Sequence, residues 1–284
     1  MPLEQTLRFL EDASIGLFGA GHLARAIAVG LLDAGLPRSS LAICHRASEQ
    51  THQQLVLAGL SDLIAESQQV VRRSRILFYL VRPQDHAAIG EYRLRNDSLF
   101  ASFLAGVRLQ SIPVHLPATR RVRVMSSAPD SLRQRKGIAA LAPSVSPLIR
   151  EVMESLGLHI LALPSEDDIH AFTALGPCLP IVLTYWEGLG NPVDDSELLD
   201  TANRFSLPDY AAILHWAHVI RPRNLSKDEL CCYLDQATTP GGVTEAILGG
   251  IRNGMRLPEA LVRGIARSRE LAAICEPGVP PKDR

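Results

Sequence analysis

The sequence predicts an α/β chain in which a doubly wound parallel sheet is followed by an all-helical half. From about Ala13 to Leu163, short apolar runs alternate with amphipathic stretches, and a glycine turn joins the first run to a helix. After Pro164, helical patterns follow one another without a convincing strand. Strands alternating with helices favour a parallel sheet covered on both faces. The 284 residues suffice for two domains, predicted at 1–163 and 164–284.

Six strands and three helices are predicted in the first half. Each strand is a short apolar run bounded by turn residues, whereas each helix repeats apolar positions every three to four residues. The predicted strands are Ser14–Phe18, Leu41–His45, Ile76–Leu80, Leu99–Phe103, Arg121–Met125 and Leu158–Ala162. The predicted helices are Leu23–Ala34, Glu49–Leu57 and Ser146–Leu156.

Seven helices are predicted in the second half. Ser165 and the acidic residues after it are typical of a capped helix start, and prolines separate several of the later patterns. The predicted helices are Asp167–Ala174, Ile181–Leu189, Asp194–Phe205, Asp209–Arg221, Lys227–Gln236, Val243–Gly250 and Pro258–Ile274. The tail Glu276–Arg284 is rich in proline and charge and is predicted to fray.

The first strand leads into a glycine turn and a helix. Gly19 permits the tight turn, Gly21 lets the backbone approach phosphates, and Ala24 lets the helix pack closely on the strand. The N–H groups at the helix start, around His22 and Leu23, would then face a pyrophosphate. A glycine turn without a ligand is the alternative. The pattern favours a dinucleotide site of the Rossmann type.

The end of the second predicted strand indicates which coenzyme binds. An NAD site usually places an acid there, to accept a hydrogen bond from the ribose 2′-hydroxyl. Here the strand runs into Cys44-His-Arg46-Ala-Ser48, which contains no acid. Arg46 can pair with a 2′-phosphate and Ser48 can donate to it, although Arg46 as a solvent-exposed loop cation is the alternative. The sequence favours NADP(H) over NAD(H).

A second glycine-containing helix start lies at 237–248. Pro240 suits the beginning of a helix, and Gly241 and Gly242 leave backbone N–H groups uncovered. Such a start can hold a small carboxylate, with the hydroxyls of Thr239 and Thr244 at the same end. An ordinary capped turn explains these residues equally well, so both interpretations stay open on this segment alone.

Four further segments follow the glycine turn in a recognisable order. They are Leu80-Val-Arg-Pro-Gln84, Ser102-Phe-Leu-Ala-Gly-Val107, Arg123-Val-Met125 and Thr238-Thr-Pro-Gly-Gly-Val-Thr244. With these motifs the chain resembles the pyrroline-5-carboxylate reductase family over nearly its whole length. The last segment is similar to that family's distinctive Thr-Ser-Pro-Gly-Gly-Thr-Thr signature, and His22 stands where the family commonly has asparagine.

The resemblance implies NAD(P)H-dependent reduction of a cyclic imine, 1-pyrroline-5-carboxylate, to proline, and so a role in proline biosynthesis. It implies further coenzyme contacts at Val81, Arg82, Pro83, Ala105, Gly106 and Ser127. Thr244 takes the family's position for the hydroxyl that meets the substrate nitrogen, while Thr239, Gly241 and Gly242 would hold the substrate carboxylate. The helical half would be a dimerisation domain that forms a homodimer or a higher ring.

Two departures from the family touch the implied reaction centre. Ser126-Ser-Ala-Pro-Asp130 replaces Pro-Asn-Thr-Pro-Ala, so an asparagine amide beside the coenzyme is lost and Ser127 would need a bridging water. Gly176–Pro180 carries a cysteine and a leucine where the family has glycines and serines. Two alternatives stay open, a reductase of a different cyclic imine and a catalytically impaired nucleotide-binding paralogue. A β-hydroxyacid dehydrogenase would need a lysine in the helical half, where Lys227 is the candidate.

Composition excludes several other classes of function. A net charge of -1 gives no electrostatic case for nucleic acid or an anionic membrane, and no apolar run approaches the roughly 18 residues of a membrane span. Five cysteines form no paired framework, which favours a reducing cytoplasm. The spacing of His215, His218, Cys231 and Cys232 fits no standard zinc pattern, so no metal is predicted.

Overall fold

The computed structural model describes residues 14–46, 48–143 and 146–274. Contacts between Cα atoms divide these residues into two compact units, 14–164 and 165–274. Cys275 and the tail predicted at Glu276–Arg284 lie outside the described residues. The two units are an α/β unit and a helical unit, which confirms the predicted fold class.

A seven-stranded sheet forms the centre of the first unit. Its strands are β1 (Ser14–Phe18), β2 (Leu41–Cys44), β3 (Ser74–Tyr79), β4 (Leu99–Ser102), β5 (Arg121–Ser126), β6 (Gly137–Ala142) and β7 (Leu158–Ala162). The strand order is β2-β1-β3-β4-β5-β6-β7, and β5 and β6 are the antiparallel neighbours in an otherwise parallel sheet. Because β2 and β3 lie on opposite sides of β1, the strand order reverses there, and a crevice is expected at the carboxyl end of β1.

Alternate residues of the strands pack into two separate apolar layers. In β3, Ile76 and Phe78 belong to the layer on one face, whereas Leu77 and Tyr79 belong to the layer on the other. All four side chains are fully buried. Burial on both faces explains why the strands read as continuous apolar runs.

Five α-helices and several 3-10 turns accompany the sheet. The α-helices are α1 (His22–Asp33), α2 (Glu49–Leu57), α3 (Ser67–Arg73), α4 (Pro129–Arg133) and α5 (Pro147–Ser155). A 3-10 segment at Pro83–Glu91 follows β3. Sequence analysis missed β6, because its run Gly-Ile-Ala-Ala-Leu-Ala is rich in alanine, a residue depleted in strands.

Seven helices make up the second unit. They are α6 (Asp168–Leu175), α7 (Leu179–Gly188), α8 (Asp195–Arg204), α9 (Tyr210–Ile220), α10 (Lys227–Ala237), α11 (Val243–Arg252) and α12 (Leu257–Ile274). Helices α11 and α12 pack closely at Gly264. A Cβ added there would come within 2.4 Å of the Ile247 side chain, so only glycine leaves enough room. Residues 165–274 contain no strand.

One stretch of this unit has the composition of a membrane span. Asp168–Gly188 is long and apolar enough by length and hydropathy, but 78% of its most apolar window is buried inside the protein. A core helix of a water-soluble protein has the same composition. Burial within the helical unit therefore accounts for this stretch.

Candidate coenzyme and substrate sites

Gly19 brings the end of β1 against the end of β3. Its φ of +116° lies in the left-handed region, and a Cβ there would stand 2.6 Å from the carbonyl oxygen of Leu80. The N–H of Gly19 donates to the Cys44 carbonyl at 3.0 Å, and the N–H of Leu80 donates to the Phe18 carbonyl at 2.9 Å. Glycine is required here for both the backbone angle and the close approach.

Gly21 leaves the start of α1 open. It is the N-cap residue and offers no side-chain cap, and a Cβ built on it would meet no described atom within 4 Å. His22 is exposed, whereas Ala24 is buried beneath the helix. The helix start therefore combines uncovered N–H groups with free space at the carboxyl edge of the sheet, an arrangement suited to a phosphate.

Two more predicted coenzyme segments follow strands that are parallel to β1. Val81, Arg82 and Pro83 come directly after β3, and Ala105 and Gly106 come after β4. Because parallel strands end at the same edge of a sheet, these loops lie along the same edge as the glycine turn. The sheet topology thus brings the predicted coenzyme residues, which are scattered through the sequence, to one edge of the sheet.

Arg46 and Ser48 follow β2 at this edge, and each already has a partner. The Arg46 guanidinium lies 2.6 Å from the carboxylate of Asp85, although its side chain remains 73% exposed. The Ser48 oxygen accepts the N–H of Thr51 at 3.4 Å and caps α2. Its hydroxyl proton can still be donated, so the cap is compatible with the predicted bond to a 2′-phosphate, which stays a prediction.

Ser127, which is predicted to contact the coenzyme, has a buried side chain. The residue is only 3% exposed. Its hydroxyl lies 2.7 Å from the Ser131 hydroxyl and accepts the N–H of Ile138 at 3.1 Å. These internal bonds hold the side chain between β5, α4 and β6 and give it a structural role, while its contact with the coenzyme stays a prediction.

The second glycine turn is partly occupied by the chain itself. Gly241, at a φ of +71°, donates its N–H to the Glu245 carboxylate at 2.5 Å. The Arg267 guanidinium donates to the Gly241 carbonyl oxygen at 2.8 and 2.9 Å. The N–H of Gly242 donates to the Thr239 carbonyl at 3.0 Å. The N–H groups assigned to the substrate carboxylate are thus used internally, and the first turn of α11 remains as the source of donors.

Thr244 lies on the inner side of this helix start. Its side chain is buried, and its hydroxyl donates to the sulfur of Cys178 at 3.3 Å. Cys178 is also buried, and burial raises the pKa of its thiol to about 11. A neutral thiol therefore holds the hydroxyl that the family resemblance makes catalytic. Sequence reasoning singled out both residues but not their contact.

An open groove of about 540 Å³ lies between α11 and α12 beside this helix start. Its lining comprises Gly241, Gly242, Glu245, Ala246, Gly249, Arg263, Ala266, Arg267 and Glu270. Small residues and Glu245 form the α11 side, and α12 contributes two arginines together with Glu270, which pairs with Arg267 at 2.9 Å. The groove is roomy enough for a small carboxylate, with Thr239 exposed nearby in the sequence at the turn.

The histidines and cysteines at 215–232, for which no metal site is predicted, are arranged as follows. His218 lies 2.8 Å from the Asp195 carboxylate, while Cys231 and Cys232 are exposed free cysteines. Among the described residues, no group of three or more histidine, cysteine or acidic side chains is arranged to hold a metal ion. Sequence reasoning missed Asp85, Glu245 and Arg267. Of these, Glu245 alone had a local signal, as an acid in the first turn of a helix.

Comparison with known proteins agrees with this geometry. A family model described as NADP oxidoreductase, coenzyme F420-dependent, matches residues 14–106. The pyrroline-5-carboxylate reductase of Pisum sativum is 26% identical over 283 residues, covering 94% of this chain and 100% of that relative.

Solved structures show the same fold. A pyrroline-5-carboxylate reductase from Coxiella burnetii, 21% identical, has a TM-score of 0.58 over 92% of this chain and 99% of that chain. The Plasmodium falciparum pyrroline carboxylate reductase with NADP bound, 16% identical, has a TM-score of 0.54 over 92% and 99% of the two chains. These two likenesses show the fold, while the family model and the sequence relative support an NAD(P)-dependent oxidoreductase similar to pyrroline-5-carboxylate reductases.

Proposed function

We propose that this chain uses NADPH to reduce 1-pyrroline-5-carboxylate to proline. The observation that carries the proposal is the family-like signature at the start of α11, where Thr244 lies on the first turn with its side chain on the inner side of the helix. A groove of suitable size opens on the outer side of the same turn. In this reaction the imine carbon gains a hydride and the protonated nitrogen becomes a secondary amine. An iminium carbon is already electrophilic, so no strong protein acid is needed.

The α/β unit would bind the coenzyme. Gly19 and Gly21 shape the turn, and the first N–H groups of α1, at His22 and Leu23, receive the pyrophosphate. Arg46 and Ser48 would face a 2′-phosphate, and the loops at 81–83 and 105–106 would line the nicotinamide side. When bound, the reduced nicotinamide supplies the hydride. The free space over Gly21 is the structural feature that fits such a group.

The helical unit would bind the organic acid. The first turn of α11 offers N–H donors to the substrate carboxylate, with Thr239 at the entrance. Since the Thr244 hydroxyl donates to Cys178, its lone pairs are left to accept the N–H of the substrate. Positioning of this kind contributes on the order of 7–11 kcal/mol to catalysis when the geometry is good.

The proposal includes a homodimer, because the family resemblance implies that subunits pair through the helical half. It also places the protein in the cytoplasm, as the unpaired cysteines predict. Hydride transfer needs both ligands in contact, and the dimer is the proposed assembly for it. Light scattering on the purified chain should give twice the mass of the 30.9 kDa chain, or a larger even multiple. A monomer that still turns over would remove this part of the proposal.

The test of the activity is NADPH oxidation, followed by absorbance, with freshly prepared 1-pyrroline-5-carboxylate. We expect turnover and formation of proline, with much lower turnover for Thr244→Ala. The second candidate is a different cyclic imine, favoured by the bulk of Cys178 directly against Thr244. A panel of imines that differ in ring size and carboxylate position separates the two. Tight NADPH binding without reduction of any imine would support an impaired paralogue instead.

A further inference from the structure

The residue assigned to the 2′-phosphate already binds an anion of the chain. Arg46 follows β2, whereas Asp85 belongs to the 3-10 segment after β3, and their charged groups lie 2.6 Å apart. Because β2 and β3 flank β1 on opposite sides, this ion pair joins the two loops on either side of the glycine turn. Sequence analysis looked for an acid at the end of β2, but the acid comes from a different loop.

Asp85 is held more firmly than Arg46. The backbone N–H of Asp85 donates to the Arg82 carbonyl at 2.9 Å. The backbone carbonyl of Asp85 accepts a hydrogen bond from the hydroxyl of Tyr79 at 3.0 Å. Tyr79 is fully buried, and burial raises its pKa far above the usual value, so the hydroxyl stays a donor. The Asp85 side chain is 19% exposed and that of Arg46 is 73% exposed. The backbone of Asp85 is therefore anchored and its carboxylate is mostly covered, while the exposed guanidinium of Arg46 can turn toward a ligand.

Resting on the proposed function, we propose that Asp85 limits the selectivity for NADP(H) by competing with the 2′-phosphate for Arg46. To pair with Arg46, a 2′-phosphate must displace the Asp85 carboxylate and then lie near its negative charge. A coenzyme with a 2′-hydroxyl leaves the ion pair intact. The preference for NADP(H) predicted from the missing acid is therefore weakened by an acid from the neighbouring loop, and both coenzymes are accepted.

Binding of adenosine fragments tests this inference without any catalysis. Calorimetry would compare 2′,5′-ADP with 5′-ADP, and NADP⁺ with NAD⁺, on the wild-type protein and on Asp85→Asn. The variant should bind the two 2′-phosphorylated ligands more tightly by up to about fivefold, the upper end of what an exposed ion pair contributes. Affinity for 5′-ADP and NAD⁺ should stay unchanged or fall. The gain should shrink at high salt, because exposed charges are screened.

Two variants make the test specific. Asp97 pairs with Arg95 at 2.9 Å in a solvent-exposed ion pair before β4, at the opposite edge of the sheet, so Asp97→Asn should change no affinity. In an Arg46→Met background, Asp85→Asn should not increase the affinity for 2′-phosphorylated ligands, because the guanidinium for which the two anions compete is absent. Thermal unfolding would verify that each variant is folded.

The inference is overturned if Asp85→Asn leaves the affinity for 2′,5′-ADP unchanged, or if its gain persists without Arg46. A protein that binds these coenzymes with the expected dependence on Asp85 but reduces no imine would refute the proposed activity alone. A protein that binds neither coenzyme would refute both.

Discussion

The two glycine turns of this chain have similar sequences but different local electrostatics. Both place a glycine with positive φ shortly before a helix whose N-cap is a second glycine without a side chain. The start of α1 is open above Gly21, whereas the turn before α11 has Glu245 bound to the N–H of Gly241. A glycine-rich helix start is therefore not by itself an empty anion site.

The difference comes from the third residue of each helix. In α1 this residue is Ala24, which is buried and has no group to return to the turn. In α11 it is Glu245, whose carboxylate reaches back as acids in a first turn commonly do. The first turn thus has N–H groups and space available for a ligand. At the second turn, a ligand carboxylate would have to bind next to the carboxylate of Glu245.

Substituting each glycine of the first turn should produce the largest effects. Gly19→Ala imposes a left-handed angle and a collision with the Leu80 carbonyl, so it should lower the free energy of unfolding by about 3 kcal/mol and weaken NADPH binding at least tenfold. Gly21→Ala has open space, so stability should change by less than about 1 kcal/mol. Its Cβ would occupy the ligand space, so the Kd for NADPH should rise about tenfold.

Denaturant unfolding and fluorescence titration with NADPH measure the two quantities separately. If Gly21→Ala binds NADPH like the wild type, the open start of α1 is not the pyrophosphate site. A stable Gly19→Ala would contradict the close approach of β1 to β3.

The second turn should show its largest effect in turnover. Thr244→Ala removes the hydroxyl that we assign to the substrate nitrogen, so kcat should fall about 100-fold while the Kd for NADPH stays the same. Thr244→Ser keeps the hydroxyl and should retain turnover within about fivefold. Steady-state kinetics at saturating NADPH provides the measurement. Equal turnover of the alanine and serine variants would show that the hydroxyl has no part in the reaction.

Local sequence patterns were sufficient for most of the fold. The apolar runs of β1 to β5 and the amphipathic helices satisfy periodicity rules that do not depend on tertiary context. The strand β6 and its antiparallel pairing with β5 were missed, since an alanine-rich run acquires its strand conformation from burial on both faces. Short helices such as α3 carry too few residues for a clear period.

At the candidate site, the sequence predicted the glycine turns of the backbone but not which side chains contact one another. Gly19 and Gly21 were identified because their role depends on the local turn. The pairs Arg46–Asp85 and Thr244–Cys178 join residues far apart in the chain, so no spacing rule could place them together. The internal bonds of Ser127 to Ser131 and Ile138 could not be predicted either, because its position after β5 gives no indication of them.

Thr244, at the start of α11, contacts the buried thiol of Cys178. The free energy of unfolding should therefore fall as the pH rises into the alkaline range. The pKa of Cys178 is raised to about 11, above its unfolded value of 9.0, so the folded state keeps a proton that the unfolded state loses. The stabilisation is complete below pH 9 and is lost as pH rises toward 11, with a slope of at most about 1.4 kcal/mol per pH unit. Cys178→Ser should flatten this slope in thermal unfolding measured across that range.

A matched control is Cys231→Ser, at an exposed cysteine, which should leave the alkaline slope unchanged. Thiol titration with Ellman's reagent adds a second readout. The fast-reacting fraction should fall in Cys231→Ser and not in Cys178→Ser. A fast reaction at Cys178 in the folded protein would contradict its burial.

The smallest expected effect tests the occupied turn directly. Glu245→Gln removes the charge that competes with the substrate carboxylate, so the KM for the imine should fall about two- to three-fold. The same change weakens the helix start by about 0.3–1 kcal/mol, because an acid near a helix N-terminus is stabilising. Glu259→Gln is the matched control, since Glu259 accepts a backbone N–H in the first turn of α12 and should change stability alone. An unchanged KM in Glu245→Gln would mean that the substrate carboxylate binds away from this turn. In that case the two glycine turns would share a sequence pattern without sharing a role in anion binding.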